Sequence, residues 1–411
     1  MSATHNMKMT DVGIIPNEWE VRSINDTGHS FAYGVGAEAV PYDGLNKYIR
    51  ITDIDDELAR YAPSPIVSPS FYEEQHILGE GDIVVARTGA SVGKSYLYRK
   101  EDGRLIYAGF LMKFNVYQGN PAFVKYQLQT ERYKKWVETE SARTGQPGLN
   151  LEQLKRFSFP SPSHVLEQDK IATALEDIDT LICDLDKAVK KKTLMKQGAM
   201  QRLLTGSVRV KGFSTPWVEV ELRQTGVMKS GGTPSTLVPE YWNGNINWLQ
   251  SGAVQNCYIY PSAVSQKITE LGLSKSAAYL ISHDSVLIAL TGATCANVGY
   301  LTFDSAANQS VVSIEPYPEY SAKFLYQLLF TKRNLILQNR GGSAQGGVTL
   351  NQLKGITVTL PRDLEEQVEI AAILSAMDNE IAALEAERDK YKNIKQGMMQ
   401  KLLTGQIRLP V

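Results

Sequence analysis

A near-identical string of eleven residues occurs twice, as Lys196-Gln-Gly-Ala-Met-Gln-Arg-Leu-Leu-Thr-Gly206 and as Lys395-Gln-Gly-Met-Met-Gln-Lys-Leu-Leu-Thr-Gly405. The offset is 395 − 196 = 199 positions. The same ungapped offset carries Leu151, Gln153, Leu154 and Lys155 onto Leu350, Gln352, Leu353 and Lys354. It also carries Pro162 onto Pro361, Glu167-Gln168 onto Glu366-Gln367, and Asp179 onto Asp378. This is a tandem duplication, and its period is too long for a solenoid. Upstream the repeat is weaker. Tyr126-Gln127-Leu128 recurs as Tyr326-Gln327-Leu328, and Gly81-Asp82 through Thr88-Gly89-Ala90 recurs loosely as His283-Asp284 through Thr291-Gly292-Ala293. The stretch from Gly13 through Pro16 to Trp19 has a rough counterpart from Gly212 to Pro216-Trp217. Each half is therefore a variable globular head followed by a well-matched segment, with heads at 1–162 and 212–361 and matched segments at 163–211 and 362–411.

The matched segments read as long helices. Ile171, Leu175, Ile178, Ile182, Leu185 and Val189 are spaced as a heptad seam, repeated by Ile370, Leu374, Met377, Ile381 and Leu384. The seam continues less regularly through Leu194, Met195, Ala199 and Leu203, and through Tyr391, Ile394, Met398 and Leu402. Pro162 and Pro361 precede the helices, and Gly206 and Gly405 follow them as stop signals. Each helix is acidic in its first half and basic in its second. Dipole compensation accounts for part of that polarity. Two such helices laid antiparallel would also set each acidic half against a basic half, so an antiparallel pair within one chain is expected; a parallel pair between chains is the rival. The fold class is thus α+β: two α/β heads separated by an antiparallel pair of long coiled-coil helices, related by a pseudo-two-fold axis. A two-fold-related pair of heads suits the two-fold symmetry of duplex DNA.

Composition limits what such a chain can do. With 43 Lys+Arg against 44 Asp+Glu the formal charge is −1, which argues against a wholly electrostatic nucleic-acid binder but permits local basic patches. Cys183, Cys257 and Cys295 lie far apart, so a disulfide framework or zinc knuckle is not expected. The first residues lack a secretion signal and no apolar run is long enough for a membrane span, which points to the cytoplasm. No HExxH, GxSxG or amino-methyltransferase motif is present, and His5, His29, His76, His164 and His283 have no ligand spacing. Neither catalysis, nor a metal, nor a cofactor is expected in this chain.

Several loops have the residue types that contact nucleic acid. Arg87-Thr88-Gly-Ala-Ser91-Val-Gly93-Lys94 mimics a phosphate-binding P-loop, but Thr88 stands where the first glycine belongs, and the second copy, with Thr291, Thr294 and Asn297, has no Lys-Ser pair. Either these are tight strand-end turns, or they place small donors and Lys94 against DNA. Arg143, Thr144 and Gln146, and likewise Arg340, Ser343 and Gln345, sit in glycine-rich loops ahead of the helices. Arg and Gln are the side chains that read guanine and adenine bidentately; the competing account is a polar loop joining head to spacer.

The two copies of the Lys-Gln-Gly helix end, the Gly231-Gly-Thr-Pro-Ser235 and Pro239-Glu-Tyr-Trp-Asn243 stretches, Gly342-Ser-Ala-Gln-Gly-Gly347 and Arg87–Lys94 together resemble the DNA specificity subunit of type I restriction–modification systems. The likeness extends over essentially the whole chain. It implies two target-recognition domains, each reading one half of a bipartite double-stranded DNA site. It implies helices that dock two methyltransferase subunits and, in the full enzyme, restriction–translocation subunits. By the same resemblance Tyr33, Gly34, Lys229, Gly231, Gly232 and Thr233 are recognition-loop candidates, with ordinary turns as the alternative. Lys196, Gln197, Met200 and Gln201, with Lys395, Gln396, Met399 and Gln400, are the partner-binding candidates. The different-class alternative is a coiled-coil adaptor that organises proteins without reading DNA.

Overall fold

The computed structural model describes residues 6–142, 147–338 and 347–409. The chain forms two compact units, one of residues 1–186 with 386–411 and the other of residues 187–385. Each long helix, Val165–Leu203 and Leu364–Leu402, spans 39 residues and contributes its first half to one unit and its second half to the other.

In the first unit the head is built on a four-stranded antiparallel sheet in the order Gly28–Tyr33, Leu111–Val116, Asp82–Ala86 and Ser95–Leu97. The central strand Asp82–Ala86 is buried on both faces, which its run of apolar residues anticipates. Trp19–Ser23 pairs antiparallel with Ser158–Pro162 and delivers the chain to the start of the first long helix. The second unit repeats the plan. Its sheet runs Gly226–Ser230, Val311–Pro316, Ser285–Ala289, Val298–Leu301 and Cys257–Ile259, and Val218–Glu221 pairs with Thr357–Leu360 ahead of the second long helix.

Within each unit the two helix halves run antiparallel, as the charge pattern anticipates. In the first, Asp179 meets Lys395 at 2.6 Å and Asp186 meets Arg388 at 3.4 Å. In the second, Lys196 pairs with Asp378 and Lys192 with Glu380. The predicted seam residues from Ile171 to Val189 are all buried. In the second copy Ile370 and Leu374 are buried, while Met377, Ile381 and Leu384 are half-buried. The expected continuation fails at Leu194 and Met195, which are 67% and 51% exposed, and at Ile394, 40% exposed. Leu194 falls five residues after Val189, a step that carries it off a seam of threes and fours. Gly206 and Gly405 end the helices with φ of +69° and +72°, the left-handed geometry that favours glycine.

The end of each helix belongs to the core of the head it reaches. Leu402 and Leu403 pack with Ile15, Trp19 and Phe159 of the first head, and Met200 and Leu204 with Phe324 and Leu353 of the second. The tails then pair reciprocally. Arg408 grips buried Glu167 at 2.5 and 2.8 Å, and Arg209 grips buried Glu366 at 2.7 Å through both nitrogens. Among the described residues no helix is long and apolar enough to cross a membrane.

Candidate nucleic-acid interface

The sheet of each head leaves its central strand through a tight turn. In the first head Gly89 and Gly93 take φ of +78° and +84°. The Gly93 amide bonds the Ala86 carbonyl at 2.8 Å, and the Ala86 amide bonds the Lys94 carbonyl at 2.8 Å. A Cβ on Gly93 would lie 2.8 Å from the methyls of Val137. The second head closes the same way, Ala296 N–H to Ala289 at 2.8 Å and Ala289 N–H to Asn297 at 3.0 Å. Thr88, Ser91 and Lys94 thereby match Thr291, Thr294 and Asn297 position for position. These are strand-end turns, and the polar residues at their ends are already engaged. Lys94 Nζ lies 2.7 Å from Asp56, and Asn297 Oδ1 accepts from Asn256 and Arg333 at 3.2 Å. Lys94 and Asn297 tie the turn to a neighbouring loop. Thr291 is exposed; Thr88, Ser91 and Thr294 are half-buried.

Beside each turn a glycine passes under a crossing chain. Gly34 N–H bonds Leu111 at 3.1 Å, and Gly231 N–H bonds Val311 at 2.9 Å. A Cβ on either would stand 2.2 Å from a backbone oxygen, of Ala108 or Ala307, and one on Gly232 would stand 2.3 Å from the Ala277 carbonyl carbon. These three glycines are required by backbone packing inside the head, which accounts for them without DNA.

What the crossings leave exposed is a cation over a tyrosine. Tyr33 is 40% exposed, and the Arg87 guanidinium lies 4.6 Å from its ring centre. The Tyr33 hydroxyl accepts from the Leu151 amide at 3.3 Å, which fixes the ring. Arg87 Nε is buried and has no hydrogen-bond partner among the described residues. In the second head Lys229 Nζ lies 5.2 Å from the Tyr279 ring centre, and exposed Thr233 donates to Gln309.

Arg143, Thr144, Gln146, Arg340, Ser343 and Gln345 lie outside the described residues. The ends of their loops are placed. Leu149 N–H bonds Arg87 at 2.8 Å, Thr88 bridges Gly148, and Val348 N–H bonds Leu290 at 2.9 Å. So in each head the strand-end turn, the glycine crossing and one end of the polar loop converge on a single corner.

The partner-binding candidates divide. Met200 is buried in the second head, Met399 packs half-buried against the first, and Lys196 and Lys395 are held by Asp378 and Asp179. These four face inward because the helix end is core to the head it reaches. Gln197, Gln201, Gln396 and Gln400 remain exposed. The periodicity reading missed Leu194, Met195 and Ile394 as outward-facing apolar residues beside them; the five-residue step from Val189 was the available signal at Leu194, whereas Ile394 fits a spacing of threes and fours between Tyr391 and Met398 and gave none.

Comparison with known proteins bears on what this arrangement does. The family model of the type I restriction modification DNA specificity domain matches the chain twice, over residues 16–194 and 215–395. The putative type I restriction enzyme MjaX specificity subunit of Methanocaldococcus jannaschii is 26% identical over 424 residues, spanning 98% of this chain and 97% of its own. The MjaVIII specificity subunit of the same organism is 23% identical over 422 residues, spanning 96% and 94%. The crystal structure of a type I restriction–modification S subunit from M. genitalium shares the fold with a TM-score of 0.66 at 15% identity, over 98% of both chains. A chain from a study of complex assembly and conformational transition in a type I R-M system has a TM-score of 0.55 at 16% identity, over 96% of this chain and 99% of that one.

Proposed function

The chain belongs to the family of type I restriction–modification DNA specificity domains, and on that premise we propose that its two heads each read one half of a bipartite duplex site for a methyltransferase complex. The observation that carries this is a division of labour between repeated and divergent contacts. The helix contacts recur: Glu167 with Arg408 answers Glu366 with Arg209, and Asp179 with Lys395 answers Asp378 with Lys196. The recognition corners keep the backbone frame and change the side chains, so that Arg87 and Lys94 are replaced by Leu290 and Asn297. Like surfaces bind like partners, and unlike corners read unlike sequences. A non-reading adaptor gives no reason for that divergence.

Two methyltransferase subunits dock on the helices, one at Leu194, Met195, Gln197 and Gln201 and the other at Ile394, Gln396 and Gln400, where apolar and amide side chains are exposed on regular helix. In a complex that also restricts, restriction–translocation subunits join through the same assembly. The methyl donor and the chemistry belong to the partners, and the complex works in the cytoplasm. Exchanging residues 15–150 for another first head is expected to change one half of the methylated motif and leave the other intact. Methylation-sensitive sequencing reads this directly; a change in both halves, or in neither, overturns the proposal.

Within the first head Arg87 is the strongest reader. Its guanidinium lies 4.6 Å from the Tyr33 ring centre, a cation–π contact that steadies a side chain able to donate bidentately to guanine. Arg87→Ala is expected to weaken cognate binding by about 1–3 kcal/mol and to relax one position of the first half-site. Fluorescence anisotropy with duplexes varied one base pair at a time checks it, and unchanged discrimination at every position of that half-site removes Arg87 from the readers.

A further inference from the structure

The second head carries an open cleft of about 420 Å³, lined by Gln250, Gln255, Ala253 and Ala263 together with Gly252, Cys257 and Ser265, whose hydroxyl can donate or accept and favours no base. Its origin is visible by comparison with the first head. Ala108 N–H bonds Ile49, and Asn308 N–H bonds Leu249, which aligns Ile49 with Leu249. The short helical turns Ile51–Asp53 and Ser251–Ala253 follow at the same place. Arg50 therefore corresponds to Gln250, and Asp53 to Ala253. In the first head Arg50 donates twice to buried Asp53, at 2.8 Å each, and the pair is closed on itself. In the second head a carboxamide and a methyl stand in those places, and the space is open.

The cleft adjoins the recognition corner. Trp248 Nε1 donates to the Gly232 carbonyl at 2.9 Å, and Asn308, bonded to Leu249, precedes the Gln309 that meets Thr233. Both glutamines are held by one donor. Gln250 Nε2 donates to Gln266 at 3.0 Å and Gln255 Nε2 to the Gly252 carbonyl at 2.8 Å. A carboxamide has two N–H groups and a carbonyl with two lone pairs. Each glutamine thus keeps an N–H and acceptor capacity, the pair that matches adenine N7 and N6. The lining contains no Arg or Lys to favour guanine or phosphate, and no carboxylate to favour the cytosine amine. Ala253 and Ala263 supply methyl groups of the kind that contact the thymine methyl.

We propose that this cleft reads an A·T base pair in the half-site of the second head, Gln250 and Gln255 addressing adenine and Ala253 and Ala263 addressing thymine. The inference rests on the DNA-reading role assigned to the head. Its test uses the full chain assembled with its methyltransferase subunits. Q250A/Q255A is expected to lose about 5- to 150-fold in discrimination at one A·T position of the second half-site, with the first half-site unchanged. Anisotropy with single-pair-substituted duplexes measures it. Unchanged discrimination, or a loss confined to a G·C pair or to the first half-site, overturns the assignment. Cys257 gives a second readout, because it is exposed in the cleft while Cys295 is buried. Saturating cognate duplex is expected to slow maleimide labelling of Cys257, whereas labelling at the free rate under saturation rejects the cleft. Failure of the underlying reading looks different: the assembled complex then prefers no duplex sequence at all.

Discussion

Asp179→Ala is expected to cost the first unit about 3–5 kcal/mol, because it strands two ammonium groups in the interior. Asp179 is fully buried; Oδ2 accepts hydrogen bonds, while Oδ1 has an ion-pair contact with Lys395 but no aligned hydrogen bond among the described residues. Lys395 Nζ lies 2.6 Å from Oδ1; the Tyr126 hydroxyl donates to Oδ2 at 2.8 Å, and Lys125 Nζ lies 3.4 Å from Oδ2. Lys125 is itself 2% exposed and Lys395 7%. The repeated partner, Asp378, faces Lys196 and Gln327 with its side chain 31% exposed, so Asp378→Ala is expected to cost about 1 kcal/mol or less. Two positions that match in sequence thus differ several-fold in energy. Burial pushes the Lys125 ammonium down to about 8, and the Asp179 carboxylate offsets only part of that. Unfolded lysine keeps its proton to near 10.5, so between about 8 and 10.5 the unfolded chain holds more protons. Stability therefore rises with pH across that window, and Lys125→Met is expected to remove the rise. Amide exchange of the strand Asp82–Ala86, followed in urea at several pH values, measures both effects. An Asp179→Ala protein within 1 kcal/mol of the parent, by the criterion for exposed pairs, defeats the account.

The duplication was readable because the helices obey a rule without gaps. The seam, the stop glycines and the antiparallel charge pattern follow from spacing alone, and the repeated Glu-Gln has a structural cause. Gln168 and Gln367 each accept from the N-cap amide of a neighbouring helix, Asn120 or Ser321, at 2.9 Å. That same pairing exposes an error in the weaker match. It aligns Asn120 with Ser321, an offset of 201, so Tyr126 corresponds to Gln327 and the apparent repeat of Tyr-Gln-Leu is one residue out of step. Tyr126 and Gln327 indeed occupy like roles, bonding Asp179 and Asp378. Likewise Gly81 corresponds to Asp284, both at positive φ, and Asp82 does not. Identity of letters misled by one residue where insertions carry the offset from 199 in the helices to 201 and then 203 in the heads. The inward turn of Met200 and Lys395 was hidden for another reason: a helix end that looks like a partner surface in one repeat is core to the head of the other, which no single-segment pattern reports.

Removing residues 402–411 is expected to unfold the first head and spare the second. The deleted segment supplies Leu402 and Leu403 to the first core, and each buried leucine contributes about 2–5 kcal/mol. It also supplies the Leu403 carbonyl that accepts from Gln127 at 3.1 Å and the Arg408 guanidinium that neutralises buried Glu167. Without Arg408 the Glu167 carboxylate keeps, among the described residues, the Trp19 indole at 3.3 Å, and an unpaired buried charge adds about 3–5 kcal/mol. The sum approaches or exceeds the ~5–15 kcal/mol that holds a typical domain together. The second unit is closed by Met200, Leu204 and Arg209, all retained, so its strand Ser285–Ala289 keeps its protection. Hydrogen exchange of the truncated chain separates the two: Asp82–Ala86 is expected to exchange at the rate of an open chain and Ser285–Ala289 at the parental rate. Parental protection of Asp82–Ala86 contradicts the claim that the C-terminal tail completes the first core, whereas loss of protection in both strands contradicts the claim that each head is closed separately by the other repeat's helix end.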